Sequence, residues 1–260
     1  MASIREIIQY LETWVPLSWQ ESYDNAGLQA GNPDQPLRSG LICLDVRPEV
    51  MDEAIATGAN FILSHHPVLF HPLRCVSGRN LAEQTVIKAI EHNIVIYSMH
   101  TNLDNAPDGV NAALARRLRL NHLEFLRPVQ PNPAPIGSGM IGELASPLSE
   151  EEALCFVKER LALPVLRHSK RLGGTIRRIA LCGGAGAFLI PDAIARNADM
   201  FVVGEAHYHD FIDYENRMLL LEVGHYESEH WIKYDLLAKL NEKFSTFAVS
   251  KCEESTYNYL

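Results

Sequence analysis

Apolar positions along the chain fall into short runs separated by polar turns, and their spacing changes from one run to the next. Ser3 followed by Glu6 forms a capping box, and Ile4, Ile7, Ile8, Leu11 and Val15 then recur at helical spacing until Pro16. An amphipathic helix therefore opens the chain. Gly40 to Val46 reads as a strand, and Pro48 to Gly58 as a helix with proline at its start and glycine at its end. The same alternation repeats with Asn60 to Ser64 (strand), Asn80 to His92 (helix), Ile94 to Met99 (strand) and Asp108 to Leu118 (helix). Strands alternating with helices predict βαβ units and a largely parallel sheet.

From Arg127 to Gly139 the chain carries Pro128, Pro131, Pro133 and Pro135 with Gly137 and Gly139, the best linker in the sequence. Beyond it, Met140 to Ala145 reads as a strand and Ser149 to Leu161 as a helix with a second capping box, Ser149 to Glu152. Strands are predicted at Arg178 to Cys182, Met200 to Val203 and Met218 to Val223, a helix at Phe188 to Asn197, and a long closing helix from His225 to Phe244. The expected class is α/β, with mixed, largely parallel sheets flanked by helices, in two domains: residues 1–126 plus 220–260 forming a metal-binding one, and 127–219 inserted as the second.

The 260 residues, 47% hydrophobic and 21% charged, suit an ordinary globular protein and exclude disordered or fibrous structure. A formal net charge of -9 leaves no global field for nucleic acid or anionic lipid. The one basic cluster, Arg167, His168, Lys170, Arg171, Arg177 and Arg178, reads as a solvated loop and strand edge. No apolar run reaches the ~18 residues of a membrane helix, and the N-terminus lacks the pattern of a signal peptide. A cytoplasmic location is expected. Cys43, Cys75, Cys155, Cys182 and Cys252 lack CxxC spacing, so buried thiols are expected in place of disulfides or a zinc finger.

Three groups of metal-capable side chains each follow a predicted strand: His65 and His66 in SHHP, His100 and Asp104 in HTNLD, and His225 and Glu229 in GHYESE. At the carboxyl ends of parallel strands such loops converge on one crevice. His225 and Glu229, at i and i+4, lie on one helix face in chelating geometry. Imidazole and carboxylate without thiolate suit zinc, iron or manganese, and five or six ligands fit two ions bridged by water or a carboxylate. Each group has a plainer explanation as well. A surface His/Glu pair and an Asp104 that merely caps a helix are common, and only the coincidence of three strand-end groups favours a dinuclear site.

Other motifs carry less. Gly183, Gly184 and Gly186 in GGAGAF follow a strand, but match neither GxGxxG nor GxxxxGK[ST], and read as a tight turn. Glu205, His207, His209 and Asp210 in GEAHYHD read as a polar helix start, the alternative being a second ligand set or a reach into the site. Ser64 and Ser228 lack the surroundings of a nucleophile, and HExxH is absent.

These motifs, together with SYDNAGLQAG at Ser22 to Gly31, occur in the order seen in the Nif-three-like dinuclear-metal protein family, whose members are often labelled GTP cyclohydrolase 1 type 2 homologues. The chain resembles that family over nearly its whole length. The resemblance implies that His65, His66, Asp104, His225 and Glu229 hold two metals and that His100 orients a ligand or water. It further implies two intertwined α/β units and a ring-shaped homohexamer with its metal sites facing an internal cavity. Many relatives carry an extra mid-chain domain that this chain is too short to hold. The activity expected from it is metal-dependent hydrolysis of a nucleotide or related heterocycle, with His100 relaying a proton. A two-metal phosphoesterase is the nearest enzymatic alternative, and a metal-binding scaffold, metal carrier or regulatory adaptor the non-catalytic one.

Overall fold

The computed structural model describes residues 2–129 and 136–252. The chain folds as mixed α/β, in two compact units: Met1–Leu103 with Lys233–Glu254, and Asp104–Ile232. The first is discontinuous in sequence, and the second is inserted into it.

In the first unit the helix Ile4–Trp14 buries Ile4, Ile7, Ile8 and Leu11, and its capping box is formed: the Glu6 amide donates to Ser3 Oγ, and the Ser3 amide to Glu6 Oε2 at 2.6 Å. Strands β1 (Gly27–Ala30), β2 (Gly40–Cys43), β3 (Phe61–Ser64), β4 (Val95–Ser98) and β11 (Phe247–Val249) form one sheet in the order β1-β4-β3-β2-β11. Only the β1/β4 pairing is antiparallel. Every residue of β2, β3 and β4 is buried, which is why these strands read as continuous apolar runs. Leu41, Cys43 and Ile62 pack with Val50, Met51 and Ala54 of the helix Pro48–Thr57 and Ala89 of the helix Leu81–Glu91.

The second unit holds β5 (Asn121–Pro128), β6 (Gly137–Ser149), β7 (Arg167–His168), β8 (Thr175–Cys182), β9 (Met200–Val203) and β10 (Leu219–Glu222), in the order β5-β6-β8-β9-β10-β7. Its central strands have a core on each face. Ile179, Leu181, Met200, Val202, Leu219 and Leu221 face the helices Val110–Arg117 and Glu150–Arg160, while Ala180, Cys182, Phe201, Val203 and Leu220 face Leu189, Ile190 and Ala193. Alternate side chains of a strand point to opposite faces, so both sets are apolar. The β8/β9 and β9/β10 pairings are parallel, and β5/β6, β6/β8 and β10/β7 are antiparallel, so this sheet is mixed.

Several boundaries differ from expectation. Arg127 and Pro128 pair with Ser138 and Gly137 across β5 and β6, so the ends of the expected linker lie inside a sheet. Gly137 permits this, since a Cβ there would sit 2.5 Å from the Arg127 carbonyl oxygen. Pro131, Pro133 and Pro135 lie outside the described residues. The two compact units divide at Leu103/Asp104 and Ile232/Lys233. The closing helix is broken into His225–Glu229 and Ile232–Asn241. At the break, Trp231 Nε1 donates to the Glu227 carbonyl at 3.1 Å, the oxygen that the Trp231 amide would take in an unbroken helix. The cysteines form no disulfide, but only Cys43 and Cys182 are buried; Cys75, Cys155 and Cys252 are exposed. Among the described residues, no helix is long and apolar enough to cross a membrane.

Candidate metal centre

In the first unit three adjacent parallel strands deliver polar groups from their carboxyl ends: Asp45 beyond β2, His65 and His66 beyond β3, and His100 beyond β4. The chain bends after Ser64, and the Ser64 hydroxyl donates to the His66 carbonyl at 2.9 Å. The neighbouring imidazoles therefore do not diverge as they would along a regular strand; their centroids lie 4.9 Å apart. His65, His66 and His100 each bring one ligand atom to within 4.8 Å of the others.

Each ring is held at Nδ1. That of His65, fully buried, bonds the Met99 carbonyl at 2.7 Å; that of His66 bonds Asp45 Oδ1 at 2.8 Å; that of His100 bonds Asp24 Oδ1 at 2.7 Å. A carbonyl only accepts, so His65 Nδ1 carries the proton, and in the neutral ring Nε2 has the lone pair that a metal needs. Burial works against ionisation of Asp24, but hydrogen bonds from His100 and Thr101 outweigh it and hold its carboxyl down at about 2. Asp24 is thus ionised at neutral pH behind His100.

In the second unit the parallel strands β8 and β9 are followed directly by Gly183-Gly184 and Gly204-Glu205, and β10 by Val223, Gly224 and His225. His225 and Glu229 occupy one helical turn, with His225 Nε2 3.1 Å from Glu229 Oε2, and His225 Nδ1 is 2.9 Å from Glu205 Oε1. The glycines make room for this pair. A Cβ on Gly184, whose φ is +58°, would meet Glu229 Oε1 at 2.3 Å and His225 Nε2 at 3.2 Å. The loop is a tight turn and not a phosphate cradle, because the Gly183 amide donates to Asn111 Oδ1 at 3.0 Å and the Gly184 amide to Ser228 Oγ at 3.1 Å. Ser228 Oγ also donates to the His225 carbonyl at 2.7 Å, a structural tie and not a nucleophile's setting.

Asp104 ends the one-turn helix Thr101–Asp104, and its carbonyl accepts from Asn111 Nδ2 at 3.0 Å. Asn111 thereby ties Asp104 to the Gly183 turn. Burial pushes the Cys182 thiol up, and the negative charges of Asp104 and Glu229 push it further, so both carboxylates act on one buried residue. Glu229 is itself only 4% exposed.

These residues fit a divalent transition metal. The donors are imidazoles and carboxylates; four histidines are fixed through Nδ1 by a carbonyl or carboxylate, the arrangement that orients metal-bound histidine; and the Gly184 cradle has no space for a side chain. Within the GEAHYHD motif, Glu205 is the residue that reaches a candidate ligand. The His207 amide instead donates to Asp210 Oδ2 at 2.7 Å at the start of the helix Tyr208–Asp213, as a polar helix start would. The orienting role of Asp24 and Asp45 was not read from sequence, although Asp45 immediately follows a strand and Asp24 lies within the SYDNAGLQAG motif.

The chain is 30% identical over 261 residues to a "GTP cyclohydrolase 1 type 2 homolog" of Clostridium perfringens, covering 99% of each chain. The crystal structure of Staphylococcus aureus protein SA1388 matches with a TM-score of 0.90 at 27% identity, covering 100% of this chain and 99% of that one. A Bacillus cereus protein related to NIF3 shares the fold with a TM-score of 0.93 at 24% identity, over 100% and 99% of the two chains. The profile of the family described as Duf34/NIF3 (NGG1p interacting factor 3) matches residues 2–257, and the chain belongs to that family.

Proposed function

We propose that His65, His66, Asp104, His225 and Glu229 hold two divalent transition-metal ions, zinc, iron or manganese, and that the protein is a metal-dependent hydrolase of a nucleotide or related heterocycle. The observation that supports the metal assignment is the anchoring of His65, His66 and His225 at Nδ1, which turns Nε2 of each toward a ligand's role, while the same anchoring of His100 holds its Nε2 for proton transfer. The name of the relatives, "GTP cyclohydrolase 1 type 2 homolog", supports a nucleotide as the substrate.

Two such ions, when bound, lower the pKa of water toward neutrality and polarise the group it attacks. The chain's own residues do the rest. Asp45 and Glu205 hold the rings of His66 and His225 in ligating orientation. His100, backed by the Asp24 anion, is the residue to take up and return a proton at Nε2. For a guanine nucleotide the electrophile is the imidazole-ring carbon, which leaves as formate after two C–N bonds have been hydrolysed.

The test is a product search by mass spectrometry with GTP, comparing the metal-reconstituted parent with Glu229→Ala. Ring-opened product and formate are expected from the parent alone; their absence from a parent that holds two metals would overturn the hydrolase reading and favour a metal scaffold or carrier. His100→Ala should keep its metal and turn over about 100-fold or more slowly. Loss of both ions from that variant would instead make His100 a ligand. A ring-shaped homohexamer belongs to the same proposal, and light scattering should return six times the chain mass; a stable monomer would contradict it.

A further inference from the structure

A cavity of about 500 Å³ opens in the second unit beside His225, lined by Val165, Leu166, Arg167, Ala206, His207 and Glu222, with Glu205 and Val223 completing its wall. That volume is in the range of small-molecule sites. Arg167 and Glu222 are cross-strand partners in the β7/β10 pairing and form an ion pair. The guanidinium also donates to the Ala206 carbonyl at 3.3 Å and lies 5.9 Å over the Phe211 ring. The one guanidinium of the wall is already paired with Glu222, and Glu205 adds a second acid that is itself bonded to His225, so even with His207 in the wall the cavity disfavours a phosphate group. It offers apolar surface from Val165, Leu166, Ala206 and Val223, a carboxylate acceptor and a guanidinium donor side by side. Burial pushes the Glu222 carboxyl above its usual range, against the pull of Arg167, so N–H donors entering the cavity would satisfy a partly desolvated group.

Building on the nucleotide reading above, we propose that this cavity is the base-recognition pocket, and that it takes a guanine-type ring whose N–H edge donates to Glu222 and whose carbonyl accepts from Arg167. A carboxylate beside a guanidinium matches two adjacent ring donors next to a ring carbonyl. Adenine, which puts an acceptor nitrogen where guanine has an N–H, meets the carboxylate with a lone pair. The apolar side chains supply the ring contacts, and His225 at the cavity wall puts the bound ring next to a metal ligand.

The experiment is calorimetric binding of guanosine, adenosine and ribose 5-phosphate to the metal-reconstituted protein, with bound metal measured on the same samples. Guanosine should bind at least 10-fold more tightly than adenosine, and ribose 5-phosphate more weakly than either. Glu222→Gln should weaken guanosine at least 10-fold with metal content unchanged. Val165→Trp, at a position 41% exposed and able to accept a larger side chain, should block the cavity and abolish guanosine binding with an unaltered melting temperature. Guanosine that does not bind the parent, binds both variants as well as the parent, or binds no better than ribose 5-phosphate would overturn the assignment. A parent without metal that still prefers guanosine would leave the pocket standing and remove the metal-hydrolase reading, so the two failures are distinct.

Discussion

The two units prepare their metal-capable side chains by different means. In the first, the imidazoles of His65, His66 and His100 are fixed by acceptors from elsewhere in the same unit: the Met99 carbonyl, Asp45 and Asp24. In the second, His225 shares that device through Glu205, but Glu229 is accommodated by the missing side chain of Gly184. Hydrogen-bond acceptors thus control the first half of the proposed centre, while close packing against glycine also controls the second. Removing an acceptor should therefore hurt the first unit most, and adding one methyl group the second.

Gly184→Ala is the strongest way to break this contrast. The contact at 2.3 Å is with the end of the Glu229 side chain, which can move, whereas the φ of +58° adds a backbone strain of about 1–2 kcal/mol. Zinc affinity measured by chelator competition should fall at least ~100-fold for a modest drop in melting temperature, because the price of refolding around the methyl is displacement of a ligand. Unchanged affinity would show that Glu229 does not hold metal where it now stands.

Asp45→Asn should have a smaller effect, about 10- to 100-fold in metal affinity, by weakening the hold on His66 Nδ1 without moving the ring far. The same competition assay measures it, and an affinity equal to the parent's would reduce Asp45 to a surface partner.

The smallest effect concerns acid. Asp24 has its carboxyl lowered from 3.8 to about 2 in the folded protein, so its contribution to stability is complete above the unfolded value and is lost as pH falls from about 4 to 2. Urea unfolding of the parent and Asp24→Asn should differ by up to about 2 kcal/mol near pH 5 and converge near pH 2. A difference that stays constant across that range would mean that Asp24 acts through packing alone.

Much of this architecture was legible in the sequence, and what was missed has a common location. The buried strands β2, β3, β4, β8, β9 and β10 announce themselves as apolar runs because both faces are covered. The strands β1, β5, β7 and β11 are the edges of the two sheets, and none of them was read. Edge strands are short or half exposed: β5 buries only Leu126 of its eight residues, and β7 has two residues, both exposed. Their composition carries no run to detect.

The same holds for the site. The candidates His65, His66, His100, Asp104, His225 and Glu229 could be named from sequence because each belongs to a short motif that begins at the end of a buried strand. Asp24 and Asp45 were not, since their role depends on which strands are neighbours: Asp45 reaches His66 because β2 pairs with β3, 21 residues away in sequence. The glycine turn was read correctly as a turn, but its use as space for Glu229 needs tertiary coordinates. Pro128, Gly137 and Gly139 stand in paired strands, which their residue types do not announce, and the helical periodicity of His225 to Phe244 runs across a tryptophan that interrupts the helix.

The central claim is that His65, His66, Asp104, His225 and Glu229 together hold two metal ions, and metal stoichiometry tests it most directly. Elemental analysis after zinc reconstitution and desalting should give two ions per chain for the parent and at most one for His65→Ala or Glu229→Ala, one variant in each unit. Parental metal content in both variants, or a parent that retains no zinc, iron or manganese, would contradict the account.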